Sequence, residues 1–151
     1  MREYFQIITR NFGLLNKTCC SVDGMDVTLI QSHILFEISR NEQPSIQQVA
    51  DLLGVDITTF SRQIQTLVKM ELVEKQPSPE DKRVSHLVLT DKGARVAATI
   101  DCQVNGYLDQ LFSQMSEFER ETVERSIRLL AKIMNESTST VGDQLACEIK
   151  C

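Results

Sequence analysis

The stretch ITTFSRQIQTLVKM, residues 57–70, offers hydroxyl, amide and cationic side chains at helical spacing. Such groups hydrogen-bond to phosphate oxygens and to the donor and acceptor edges of bases in the major groove of DNA. The stretch has no carboxylate, which phosphate would repel, and the first acidic residue after it is Glu71. A helix face that is merely solvated usually mixes glutamate with lysine. The pattern therefore favours a face that reads nucleic acid, formed by Thr58, Thr59, Ser61, Arg62, Gln63, Gln65, Thr66 and Lys69.

Two kinds of contact are expected within this face. Lys69, near the end of the stretch, carries a compact positive charge that suits a phosphate. The side chains that we predict to contact base edges in the major groove are Thr58, Thr59, Ser61, Arg62 and Gln65. All of these residues must be positioned by a folded module, and the flanking sequence predicts one.

Helix-start signals surround the polar face. Thr28 with Gln31, and Ser45 with Gln48, have the spacing of capping boxes, and Asp56 is placed to cap the helix that carries the face. The second of these three helices is short, and it is joined to the third by a turn of three residues, which is the spacing of a helix-turn-helix. The apolar stripe predicted to bury the third helix comprises Ile57, Phe60, Ile64, Leu67 and Val68.

A β-hairpin is predicted immediately after this third helix. Residues 77–82, PSPEDK, separate two short runs of β-branched or alternating apolar residues, 72–76 and 83–90. Pro77 and Pro79 are expected to keep the tip extended and to prevent strand pairing there. The charged side chains of the tip would then project as a wing.

The charges of this wing suit a second contact with DNA. Arg83 is expected to enter the adjacent minor groove, where negative potential is enhanced at narrow A·T-rich stretches. Lys82 adds a neighbouring cation to the same contact. Asp81 is expected to orient the Arg83 guanidinium without touching DNA itself.

The segment SIQQVADLLGVDITTFSRQIQTLVKMELVEKQPSPEDKRVSHLVLTDKG resembles the winged helix-turn-helix of the MarR family. Its most specific part is the wing tip, residues 81–83, followed by a hydrophobic strand and LTDKG. The resemblance implies a mainly α fold, a winged helix-turn-helix with an α/β wing, and terminal helices that form a dimerisation region. By motif the winged helix-turn-helix covers about residues 28–95 of a single MarR-type domain, residues 1–151.

Apolar stripes at helical spacing continue on both sides of this module. Residues 1–20 and 96–136 are expected to be dimerisation helices, since their stripes exceed what the module could cover. Thr90 is expected to cap the helix after the wing, and Ser116 with Glu119 to begin the last one. A helical hairpin that packs only within its own chain is the alternative. The stripes are Phe5, Ile8, Phe12 and Leu15; Ala97, Ile100, Val104, Leu108 and Leu111; and Val123, Ile127, Leu130 and Met134.

Composition limits the class of protein. With 151 residues, 42% hydrophobic and 25% charged, the chain fits one globular domain, and its polar tail, residues 137–151, is expected to be flexible. The net charge is −5, but residues 58–95 hold 7 basic and 5 acidic side chains, a local charge of +2. Nucleic-acid contact is therefore expected in this middle third. Because neither a membrane-spanning run nor a signal peptide is found, a cytoplasmic protein is expected.

Five cysteines exceed the average usage for this length, and all lie outside the predicted DNA-reading module. Thiolates near a dimer seam would select a soft ion such as trivalent arsenic, copper(I) or zinc as an inducer, or would act as an oxidation switch. No cofactor is otherwise required. The alternatives are cysteines that only pack as small apolar residues, and induction by a small aromatic anion, which the family resemblance implies. The five residues are Cys19, Cys20, Cys102, Cys147 and Cys151.

Other function classes are disfavoured. An enzyme is not expected, because the chain has no glycine-rich phosphate loop and no metal-spaced histidines, and because His33 and His86 fall in predicted core elements. A winged helix that contacts only protein is a further alternative, against which the acid-free face argues. The sequence thus predicts a homodimeric, sequence-specific transcriptional regulator that binds a pseudo-palindromic operator in double-stranded DNA. Repression released by an inducer is the expected mode.

Overall fold

The computed structural model describes residues 1–11, 18–78 and 84–140, without the side chains of residues 18, 19 and 137–140. Between residues 104 and 105 the chain divides into two compact units. The fold is mainly helical, as predicted, and it contains two small sheets. Its elements are α1 (Arg2–Asn11), β1 (Thr18–Val22), β2 (Met25–Thr28), α2 (Leu29–Arg40), α3 (Ile46–Leu52), α4 (Ile57–Lys69), β3 (Val73–Pro77), β4 (Ser85–Leu89), α5 (Asp91–Phe112) and α6 (Glu117–Thr140).

The helix starts follow local capping signals. Thr28 Oγ1 accepts the backbone N–H of Gln31 at 3.3 Å, while Gln31 Oε1 accepts the backbone N–H of Thr28 at 3.0 Å. Ser45 and Gln48 begin α3 in the same reciprocal way. Each box satisfies two of the backbone donors that the first turn of a helix leaves unpaired. The predicted starts of α2 and α3 are therefore confirmed.

A β-hairpin that was not predicted precedes α2. β1 and β2 pair antiparallel around the turn Asp23-Gly24. Both turn residues have positive φ, 52° and 76°, and Asp-Gly is a dipeptide that tight hairpin turns favour. That dipeptide is the signal in the sequence that could have indicated the hairpin. Residues 18–20 therefore lie in a strand and not in the helical segment predicted for residues 1–20.

The second hairpin is the base of the predicted wing. β3 and β4 pair antiparallel with Pro77 opposite Ser85, and the Ser78 N–H donates to the Val84 carbonyl at 2.9 Å. The prediction that Pro77 prevents pairing is wrong. Because Ser78 and Val84 form the hydrogen-bonded pair, Pro77 occupies the alternate position, where the ladder needs no N–H. The tip, residues 79–83, lies outside the described residues.

The core of the first unit is formed by buried apolar side chains of its helices and strands. Phe60, Ile64 and Leu67 of α4 are fully buried, which confirms the centre of the predicted stripe. The prediction is wrong for the two ends of the stripe, because Ile57 is 44% exposed and Val68 is 39% exposed. These two residues stand in the first and last turns of α4, where the helix extends past the core. The other fully buried large side chains are Val27, Ile34, Leu35, Val49, Leu72, Val73 and Leu87.

Gly93, in the first turn of α5, lies directly against the backbone of Leu72, and a Cβ at residue 93 would overlap the Leu72 carbonyl oxygen. Gly93→Ala is therefore expected to force the two segments apart and to lower the free energy of unfolding by about 1–3 kcal/mol. Urea unfolding followed by circular dichroism measures this loss. Gly106→Ala is the control, since among the described residues nothing beyond its own stretch of helix lies within 4 Å of a Cβ there. Equal stability of the two variants would contradict the assignment of Gly93 as a close-packing residue.

In the second unit, α6 begins with the predicted capping box. Ser116 donates its backbone N–H to Glu119 Oε2 at 2.9 Å, and Glu119 donates its backbone N–H to Ser116 Oγ at 3.4 Å. Hydrogen bonds from the Ser116 hydroxyl and backbone lower the pKa of Glu119. The polar side of the helix carries ion pairs one turn apart, including Arg125 with Glu121 at 2.7 Å. These contacts stabilise α6 locally.

The apolar stripe of α6 faces solvent in the single chain. Ile127, Leu130 and Met134 are 55%, 43% and 58% exposed, and only Val123 of the predicted stripe is half-buried. In the first unit, α1 also exposes its apolar stripe, since Phe5 is 45% exposed and Ile8 is 59% exposed. The remaining predicted members of the α1 stripe, Phe12 and Leu15, lie outside the described residues. Apolar surface of this kind on a helix indicates a contact with another molecule.

Candidate nucleic-acid interface

The helix that carries the predicted reading face, α4, is capped by Asp56. One carboxylate oxygen of Asp56 accepts the backbone N–H groups of Thr58 and Thr59 at 3.1 and 2.9 Å. Hydrogen bonds from Thr59, first from its side chain and then from its backbone, lower the pKa of Asp56, and the Thr58 N–H and the charge of Arg62 act in the same direction. A carboxylate with a lowered pKa stabilises the folded state at neutral pH, and this contribution is lost as the pH falls through the folded-state pKa. The cap is therefore charged at neutral pH and fixes the first turn of α4.

Most of the predicted contact side chains are open to solvent. Ser61 is half-buried, and so is Gln63, whose Oε1 accepts a hydrogen bond from Gln31 Nε2 at 3.5 Å. Thr66 is exposed, but its hydroxyl donates to the Arg62 carbonyl at 3.1 Å within the helix. Gln63 and Thr66 are thus engaged by the protein itself. The exposed members of the predicted contact set are Thr58, Thr59, Arg62, Gln65 and Lys69.

Helix α3 packs behind α4 through a tight turn. Ala50, in the last turn of α3, is buried, and its carbonyl accepts the Val55 N–H at 3.0 Å. Gly54 has a φ of +61°, a conformation that a glycine adopts without strain. The turn closes the helix-turn-helix and leaves the polar face of α4 pointing away from the core.

A cluster of hydrogen bonds ties the end of α4 to the start of α5. Lys92 Nζ donates to the Met70 carbonyl at 2.9 Å, and the Thr90 hydroxyl donates to the Glu71 carbonyl at 2.7 Å. The same hydroxyl accepts the Gly93 N–H at 2.9 Å, so the prediction that Thr90 caps α5 is confirmed. Sequence reasoning missed the role of Lys92, because a lysine in a first helical turn gives no signal of a partner 22 residues away. The cluster holds the recognition helix at a fixed position relative to α5.

The base of the wing is joined to α3. The Leu87 N–H donates to the Pro44 carbonyl at 2.9 Å, and Ser45 forms an isolated bridge with His86. His86 is half-buried, and among the described residues its buried Nδ1 has no hydrogen-bond partner. The prediction that His33 also belongs to the core is wrong, since α2 exposes it. Lys82 and Arg83, the wing residues predicted to touch DNA, lie outside the described residues, and so does Asp81, which is predicted to orient Arg83.

The described cysteines occupy two neighbouring segments. Cys20, in β1, is half-buried against the core, and Cys102, in α5, is an exposed free thiol. No group of three or more histidine, cysteine, aspartate or glutamate residues that could hold a metal is found within the described part of the chain. The side chain of Cys19 and all of Cys147 and Cys151 lie outside it.

The architecture, a capped recognition helix followed by a β-hairpin, agrees with a comparison of the sequence with family models. Residues 25–84 match the model described as MarR family. The winged helix-turn-helix of this chain is of the MarR type. This places the chain among DNA-binding transcriptional regulators and not among enzymes. Among the helices of the described residues, none is both long and apolar enough to cross a membrane.

Curated relatives of this chain are regulators as well. It is 24% identical over 130 residues to YybA of Bacillus subtilis, an HTH-type transcriptional regulator, with 83% of this chain and 87% of YybA covered. It is 29% identical over 107 residues to the transcriptional repressor MprA of Escherichia coli, with 71% of this chain but only 61% of MprA covered.

Solved structures share the fold. FabT of Streptococcus pneumoniae, solved in complex with DNA, superposes with a TM-score of 0.79 at 21% identity, covering 89% of this chain and 95% of FabT. A crystal structure of MarR superposes with a TM-score of 0.66 at 25% identity, covering 95% of this chain and 88% of MarR. The winged helix-turn-helix predicted from the sequence is therefore the fold of this chain.

Proposed function

We propose that this chain is a homodimeric MarR-family repressor that binds a pseudo-palindromic operator. The observation that carries the proposal is the exposed, acid-free polar face of α4. Asp56 and Lys92 hold this helix at its two ends, so the face is presented without a rearrangement. A rigid donor set loses little conformational entropy on binding. The repressor name of MprA and the DNA bound to FabT support the same function.

Each half-site is read by one copy of α4. The side chains proposed for base edges are those of the predicted set, with Arg62 as the bidentate donor to a guanine. Lys69, at the last turn of α4, is proposed to neutralise a phosphate. Lys82 and Arg83 are proposed to extend the footprint through the wing, with Asp81 orienting the arginine.

A second copy of the chain is proposed to cover the exposed helices of the termini. The stripe of α6, with Leu130 at its centre, and the α1 residues Phe5 and Ile8 leave large apolar side chains in solvent. Burying such residues contributes roughly 1.5–3 kcal/mol each. Two-fold symmetry would place two copies of α4 about one turn of DNA apart, which matches a pseudo-palindrome.

An electrophoretic mobility shift tests DNA binding directly. The probe is the DNA upstream of the operon that contains the gene, and the competitor is random-sequence DNA of equal length and base composition. We expect a shifted band that excess random DNA removes far less readily than unlabelled probe. Equal competition by both DNAs would contradict sequence-specific binding, and an in vitro transcription assay from the same promoter separates repression from activation.

Release of the operator is proposed to depend on cysteine thiols. The Gln103 side-chain amide donates to the Ser21 carbonyl at 3.4 Å. These residues directly follow Cys102 and Cys20 along the chain, so the two cysteines lie on contacting segments. Thiolates are soft ligands and are also oxidisable, so arsenite and peroxide are the inducer classes to compare. An aromatic anion is the rival inducer.

Titration of the DNA complex with arsenite, peroxide and benzoate distinguishes these inducers. We expect arsenite or peroxide to release the wild-type protein, and the change of Cys19 and Cys20 to serine to weaken that response by at least tenfold in inducer concentration. Cys147 and Cys151 are replaced in a separate variant, and Cys102→Ser in a third. Failure of both reagents to release the wild type, or an unchanged response of all three variants, would show that the cysteines only pack. Release by benzoate alone would favour the aromatic anion.

A further inference from the structure

Ile57 is an apolar side chain exposed at the start of a polar recognition helix. It is the first residue of α4 and is 44% exposed, although its chemistry and spacing suit the core stripe. Ser61 follows one turn later and Gln65 two turns later, so the three residues lie along one strip of the helix surface. Ile57 therefore continues a strip that is otherwise polar and proposed to face DNA.

The surroundings of Ile57 make an apolar recess on this face. Ile57 lines a hollow of about 280 Å³ between the start of α3, the start of α4 and the base of the wing. Val84, at the entrance of β4, is 37% exposed beside it. Ile46 adds a third aliphatic wall, and the polar lining comes from Ser45, Gln47 and Ser85. None of these residues is charged, so the recess suits an apolar group on an otherwise polar ligand.

Major-groove edges of DNA carry one such group, the 5-methyl of thymine. In helix-turn-helix proteins the N-terminal residues of the recognition helix contact the base edges, and Ile57 is the first residue of that helix. We propose that Ile57 contacts a thymine methyl in each half-site and so requires a T·A pair at one position. The inference rests on the proposed function, because it takes α4 as the helix that enters the major groove.

Replacing thymine by deoxyuridine removes only the methyl group and tests this contact. An operator is first selected in vitro from random duplexes with the wild-type protein, and each symmetric pair of thymines is then changed to deoxyuridine. At one pair, wild-type binding measured by fluorescence anisotropy should weaken about fourfold per methyl, from the transfer free energy of one methylene-sized group. The two half-sites together give roughly 15-fold, because distant contacts add.

Three variants make the test specific. Ile57→Ser should bind the thymine and deoxyuridine operators equally, whereas Ile57→Val should keep most of the difference. Val68→Ala is the matched control, since Val68 is 39% exposed on the same helix but in its last turn; it should keep the full wild-type difference. Thermal unfolding by circular dichroism checks that all three variants remain folded.

Two results would overturn the proposal, and a third concerns the function beneath it. If no deoxyuridine substitution weakens wild-type binding, Ile57 contacts no thymine methyl. If Ile57→Ser is as sensitive to deoxyuridine as the wild type, another residue makes the contact. If the selection yields no preferred duplex, sequence-specific binding itself fails, and that outcome is seen before any variant of Ile57 is made.

Discussion

Leu130→Glu is expected to convert the proposed dimer to a monomer and to abolish operator binding at nanomolar concentrations. Leu130 is at the centre of the exposed stripe of α6, between Ile127 and Met134. A glutamate there removes roughly 2 kcal/mol of apolar burial per protomer and adds a charge that the interface would have to desolvate. Because each dimer carries two copies, the dimer dissociation constant should rise about 1000-fold or more.

Multi-angle light scattering behind a sizing column measures this change as a halved mass. Lys132→Glu is the matched control, because it introduces the same side chain on the opposite side of α6, where Lys132 pairs with Glu136 at 3.8 Å in solvent. Exposed pairs of this kind contribute little, so the control should remain dimeric. A Leu130→Glu variant that stays dimeric and binds DNA would place the dimer interface elsewhere.

Arg62→Ala is expected to cost about 1–3 kcal/mol of operator binding per half-site and to relax the sequence preference at one base pair. Arg62 is exposed on α4, and its guanidinium can donate two hydrogen bonds to a guanine edge. Lys69→Ala should instead weaken operator and random DNA alike and flatten the dependence of affinity on salt, because a phosphate contact releases counterions whatever the sequence.

Binding isotherms on the selected operator and on random DNA, at several salt concentrations, distinguish the two roles. Arg125→Ala removes the same charge from the polar side of α6, where Arg125 pairs with Glu121, and should change neither affinity nor specificity. Equal losses on operator and random DNA for Arg62→Ala would remove it from the base-reading set. A loss confined to the operator for Lys69→Ala would move that residue from phosphate to base.

Local signals in the sequence were sufficient to predict the helix-turn-helix. Each helix start depends on hydrogen bonds between residues no more than three apart in the sequence. These are the capping boxes of Thr28 and Ser45 and the cap formed by Asp56. The wing hairpin was likewise predicted from two β-branched runs around a proline-rich turn. The hairpin β1–β2 was missed although its Asp-Gly turn is equally local.

The tertiary structure decided which residues of each predicted apolar stripe are buried and which are exposed to solvent. Periodicity assigned Ile57 to the core, but burial depends on whether another element reaches that turn of the helix, and the elements among the described residues leave it 44% exposed. The register of β3 and β4 decided that Pro77 could pair, because it placed proline at a position without a ladder hydrogen bond. The sequence alone determined the chemistry of the α4 face and the starts of its helices. Only folding brought Lys92 to the Met70 carbonyl and Gly93 to Leu72, because these contacts join segments about twenty residues apart and depend on how the helices pack.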